Sequence, residues 1–155
     1  MRVFSPIHVE AEGLFRSRHC FVSGDQVLGE LGTAFRSRES VFSQADGQRF
    51  VIRTKGGIST VYSMHLGEIE WATAERFEIS YRAVPYYLRR TGPLGGYQLR
   101  NEQDALLLEI TMAAVPGRRT EIEMAQAADL PLVVLVYSLV RRRAQRWRRR
   151  VGSSR

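Results

Sequence analysis

At 155 residues and 17.7 kDa, with 44% hydrophobic and 25% charged residues, the chain has the size and composition of one globular domain, which excludes a disordered protein and a polytopic membrane protein. Its formal charge is +7, yet eight of the 23 basic residues fall in residues 141–155, which hold no acid, so the body is near neutral and the basicity reads as a property of the tail. The single cysteine, Cys20, excludes an intrachain disulfide and a cysteine-based zinc site and suits a reducing compartment.

In chain order, the opening MRVFSPIHVEAEG lacks the apolar run of a signal peptide, so a cytoplasmic location is expected. Short segments with period-two alternation or β-branched and aromatic enrichment then follow closely, at 7–11, 19–23, 26–31, 39–43, 49–54, 59–65, 76–82, 85–90, 96–100, 105–112 and 120–125. Residues 66–76, LGEIEWATAER, fit either a strand or a short helix. The connectors SGDQ, QADGQ, TKGG, TGPLGG and RNEQD supply hairpin chemistry, with Gly24 and Gly47 expected at positive φ. The segments 14–23 and 34–43 share FRSR at a spacing of 20, a faint repetition that hairpin resemblance largely accounts for.

The stretch ADLPLVVLVYSLV ends the body. Residues 130–140 as a helix span about 16 Å, half of a ~30 Å hydrocarbon core, so they are too short to cross a bilayer. Asp129 reads as the N-cap, with Pro131 tolerated in the first turn and arginines placed well against the helix dipole. Leu130, Leu132, Val133, Val134, Leu135, Val136, Leu139 and Val140 cover every side of three turns, so the helix must be surrounded. The expected fold is mainly β: an antiparallel closed barrel of about twelve strands with the hydrophobic C-terminal α-helix threaded through its axis. Residues 1–143 form one barrel domain including the helix from about 130, and 144–155 form an arginine-rich tail.

This organisation, hairpins from Cys20 to Met112 followed by ADLPLVVLVYSLV, resembles the tubby C-terminal-like superfamily, which includes phospholipid scramblases and LURP-one-related proteins and has small bacterial members. The resemblance implies a threaded barrel that binds lipids or phosphoinositides. In tubby-type proteins that binding uses basic residues separated by one position, a spacing found at Arg16 and Arg18, at Arg36 and Arg38, and at Arg53 and Lys55. The acidic calcium-binding loop and cysteine cluster of scramblases are missing from the sequence, so scrambling is not expected.

Catalytic motifs are also missing: GxGxxG, GxxxxGK, GxSxG, HExxH and CxxC do not occur. His8, His19 and His65 are scattered, and His19 faces away from its neighbour Cys20 on a strand. Pairs Glu68 with Glu70 and Glu121 with Glu123 read as solvated strand faces. No enzyme activity, cofactor or metal is expected. In the tail, continued helix would align Arg142, Arg146 and Arg149 or Arg150 in one stripe and Arg143, Trp147 and Arg150 in another. Trp among arginines suits a membrane interface. The expected ligand-facing residues are therefore Arg142, Arg143, Arg146, Trp147, Arg149, Arg150, Arg36 and Arg38, and the expected partner is an anionic phospholipid surface at the inner face of the membrane. Nucleic-acid binding through the tail, or a protein-interaction module with a merely solvated tail, are the alternatives. The oligomeric state is not legible.

Overall fold

The computed structural model of the protein describes residues 1–12, 16–34, 38–92, 96–112 and 119–153, with the backbone alone described at 16, 34 and 144–153. A two-residue strand, β1 (Arg2–Val3), opens the chain. Then come β2 (Ile7–Glu12), β3 (Arg16–Ser23), β4 (Gln26–Ala34), β5 (Glu39–Gln44), β6 (Arg49–Lys55), β7 (Val61–Leu66), β8 (Ile69–Glu75), β9 (Glu78–Tyr81), β10 (Val84–Arg90), β11 (Gly96–Arg100), β12 (Leu106–Thr111) and β13 (Thr120–Met124). A second short strand, β14 (Ala128–Asp129), leads into α1 (Leu130–Ser153). Strands β2 to β13 are antiparallel neighbours in sequence order and close into a barrel. The seam joins β13 to β2, with Thr120 opposite Val9 and Ile122 opposite Ile7.

Period-two alternation sorts the strand residues between core and surface. On β6, Phe50 and Ile52 are buried while Arg49 and Arg53 face out; on β13, Thr120 and Ile122 face in and Glu121 and Glu123 out. Residues 66–76 resolve as the turn Gly67–Glu68 and the strand β8, where buried Ala72 and Ala74 keep the inner wall thin. Gly24 and Gly47 take φ of 58° and 96°, as their turns require. The described residues that follow the two FRSR motifs are not structural equivalents. Phe21 and His19 face in on β3, but their counterparts Val41 and Glu39 face out on β5, because the second segment is displaced by one residue and each such step reverses the side-chain face.

The helix fills the barrel. All eight apolar residues expected to be enclosed are at most 2% exposed, and Tyr137 is buried with them. A helix apolar on every side is satisfied by a sheet wrapped around it, and an aromatic band supplies much of the packing. Phe21 meets Tyr137 edge-on at 5.2 Å and Phe42 at 5.7 Å, and Phe50 meets Trp71 at 6.1 Å.

One detail departs from expectation. Asp129 does not cap the helix through its side chain: its carboxylate accepts from the Tyr81 hydroxyl at 3.2 Å and lies 3.7 Å from Arg2. The first helical N–H, that of Leu130, is instead satisfied by the Met1 carbonyl at 2.8 Å, because β1 pairs with β14 and delivers the N-terminus to the helix start. The helix continues past Arg143 to Ser153, so the arginine-rich segment extends the same element, as the stripes read in the tail require.

Candidate functional site at the helix-exit end

The two ends of the barrel differ in charge. At the end where α1 begins, the turns carry Asp25, Asp46, Glu68, Glu102 and Asp104, with Asp129 beside them. Of the arginines there, Arg2 faces Asp129, Arg100 bridges Asp104 and Arg82 stacks on Trp71 at 4.4 Å. The opposite end, where α1 emerges, carries exposed Arg38, Lys55, Arg76, Arg90 and Arg119 together with exposed Glu12, Glu39, Glu75 and Glu78, around Arg141, Arg142 and Arg143. The strand ends and turns there carry both signs, and the excess of positive charge at this end comes chiefly from the helix arginines.

At this end the Arg38 carbonyl accepts from the Thr54 N–H at 2.9 Å, which sets Arg38 beside Lys55, while Arg53 is paired with Glu39 at 3.1 Å. The neighbouring hairpin between β6 and β7 ends in Gly56, Gly57 and the fully exposed Ile58. Arg142 lies over the Tyr62 ring at 5.8 Å; Arg143 lies over the half-exposed Phe77 at 3.9 Å and donates to the Arg76 carbonyl. Cations and exposed apolar tips therefore share one surface.

Of the residues expected to face a ligand, Arg38, Arg142 and Arg143 come together here. Arg146, Trp147, Arg149 and Arg150 continue along the helix backbone, with side chains outside the described residues. Arg36 also falls outside them. Arg18 is held by Glu30 at 2.6 and 2.8 Å, part-way along the barrel wall, and adds nothing to the cluster. Sequence reading missed Ile58, Phe77, Arg76 and Arg141. Only Ile58 carried a signal, as an apolar residue within a glycine turn.

No family model, curated protein or solved structure matches this chain.

Inside the barrel near the exit, His19 is wholly buried, and its Nδ1 lies 2.6 Å from the Tyr137 hydroxyl. Burial, with a contribution from nearby Arg141, pushes the His19 pKa down to about 3, so the imidazole is neutral; burial pushes Tyr137 up to about 12. At the other end of α1, Trp71 Nε1–H donates to Tyr81 at 2.8 Å and Tyr81 donates to Asp129. A cleft of about 270 Å³ lies there, bordered by Arg2, Tyr86, Gln103 and Asp129.

Cys20 faces outward opposite Glu10, whose carboxylate lies 3.4 Å from His8 Nε2 on the same strand, and burial raises the thiol pKa. His65 is four strands away on β7. Glu70, Glu121 and Glu123 are exposed on outer faces and Glu68 sits in a turn. Among the described residues, no three His, Cys, Asp or Glu side chains converge as a metal site, and no helix is long and apolar enough to cross a membrane.

Proposed function

We propose that the protein is a non-enzymatic barrel domain of the tubby-like kind that docks its helix-exit end on anionic phospholipid or phosphoinositide surfaces. The observation that carries the reading is the coincidence of Arg38, Lys55, Arg142 and Arg143 with the exposed Ile58 and Phe77 on one end of the barrel. Each basic residue near an anionic leaflet contributes about 1 kcal/mol, so four give roughly 4 kcal/mol, and apolar tips that enter the headgroup boundary add to this. The wet faces of the strands and the dry, filled interior are the reverse of a transmembrane barrel, which favours docking over insertion. The exposed apolar tips also favour a lipid surface over nucleic acid, where phosphate contacts would be ringed by polar groups.

The test is flotation with vesicles of phosphatidylcholine alone or with a fifth of the lipid replaced by anionic lipid. The wild type is expected to float only with anionic vesicles, and a protein ending at Arg143, or one carrying Lys55→Glu with Ile58→Asp, to float less. Equal recovery of wild type on both vesicle types, or of all variants on the anionic ones, overturns the reading.

A further inference from the structure

The helix-exit end holds an arrangement that charge attraction alone leaves unexplained. Phe77 is the half-exposed tip of the turn between β8 and β9, yet Arg143 lies over one face of its ring at 3.9 Å and donates to the Arg76 carbonyl beside it. An apolar tip suited to entering a membrane is thus covered by a cation suited to meeting its headgroups.

The surroundings fix this tip in place. Glu75 pairs with Glu78 across the hairpin, so Phe77 stands on a closed two-residue turn. The Ser59 hydroxyl donates to the Glu75 carboxylate and ties the hairpin that bears exposed Ile58 to the strand leading into that turn. Glu75 and Glu78 are both exposed and are offset within the turn only by the Arg76 guanidinium. By itself the turn is therefore net negative and is repelled by an anionic leaflet; Arg143 cancels the excess. Its neighbour Arg142 makes the contrast, because it lies over Tyr62 at 5.8 Å and that ring is buried in the wall, so its departure bares nothing that could enter lipid.

A guanidinium over an exposed ring is held there by a factor of about two to five. An anionic headgroup offers two-pronged, charge-assisted hydrogen bonds, roughly twice as strong as the neutral one made to the Arg76 carbonyl. The phosphate of phosphatidylcholine is balanced by its own choline, so a neutral surface exerts no such pull.

We propose that Arg143 makes docking selective for anionic lipid by acting on Phe77: an anionic headgroup draws the guanidinium off the ring, and the bared ring then enters the headgroup layer. On a neutral surface the cation stays in place, and immersing the ring would bury a charge with it. The inference rests on the docking reading above and assigns the selectivity of that surface to one residue.

The test replaces Phe77 with 4-fluorophenylalanine in the full chain and follows the fluorine resonance against bicelles of phosphatidylcholine, alone or with a fifth of the lipid anionic, that carry a nitroxide on the acyl chain near the headgroup. Broadening reports immersion of the ring, and flotation reports docking separately. The wild-type ring is expected to broaden at far lower lipid concentration with anionic bicelles than with neutral ones. In Arg143→Gln, half-broadening should need about two- to fivefold less neutral lipid. In Arg142→Gln it should need as much neutral lipid as in the wild type, although loss of one cation weakens docking on anionic lipid by about fivefold. A wild type that does not float with anionic vesicles removes the docking reading and this inference with it. A wild type that floats while its ring stays sharp, or an Arg143→Gln ring no more immersed in neutral lipid than that of the wild type, overturns this inference alone. The wild-type ring decides even if a variant fails to fold.

Discussion

His19 on β3 and Tyr137 on α1, separated by 118 residues, are joined by a 2.6 Å hydrogen bond that ties the helix to the wall around it. The bond is buried, so its partners have no water to fall back on. Tyr137→Phe removes the hydroxyl and strands Nδ1 as well as Nε2. The expected loss is about 1–3 kcal/mol in urea-induced unfolding, with an unchanged denaturant slope. A loss below a few tenths of a kcal/mol would mean the bond contributes nothing to holding the helix.

The same histidine sets a pH dependence. Its folded pKa of about 3 lies below the ordinary 6.5, so between these values the unfolded chain takes up a proton that the folded one refuses. The contribution is full above pH 6.5 and falls as pH drops, with a slope approaching about 1.4 kcal/mol per pH unit. Unfolding free energies at pH 7, 6, 5 and 4 should therefore fall more steeply for the wild type than for His19→Gln. Parallel curves would contradict the burial of a neutral imidazole.

Two glycines on β4 make a matched pair. A Cβ at Gly29 would sit 2.6 Å from the Phe42 ring and 2.8 Å from the Ser43 carbonyl oxygen, whereas one at Gly32 meets nothing within 4 Å. Gly29→Ala must displace both a packed ring and the neighbouring strand, and is expected to cost about 1–3 kcal/mol. Gly32→Ala should be neutral or slightly stabilising through the unfolded chain. Thermal melts of the two variants check the contrast; similar Tm values would show that β4 and β5 are looser than the register implies.

The barrel was legible because its strands alternate and its helix does not: Phe50 and Ile52 against Arg49 and Arg53, but Leu132 to Val136 without a break. The turn at Arg82 and Ala83 was not legible, since neither residue favours the positive φ of 48° and 64° found there. Tertiary contacts hold it, with the Arg82 N–H donating to the Trp71 carbonyl at 2.9 Å and its guanidinium stacked on the Trp71 ring. The N-terminal clamp was missed because two-residue strands carry no periodicity. For the site, a one-dimensional charge count found the tail arginines but could not show that Arg38 and Lys55 meet around the helix exit, because only strand pairing decides which loops share an end. The pairing of His19 was not legible because its partner is more than a hundred residues distant.

The order of elements leaves its mark on biogenesis. Twelve strands emerge from the ribosome before the rod that occupies their centre, so Phe21, Phe42, Phe50, Met64 and Leu108 face solvent until α1 is made. A wall zipped up early between β2 and β13 would lock its own filling outside. Sealing and filling therefore belong to one late event, and a nascent chain paused short of Leu130 presents sticky strand surfaces that invite aggregation.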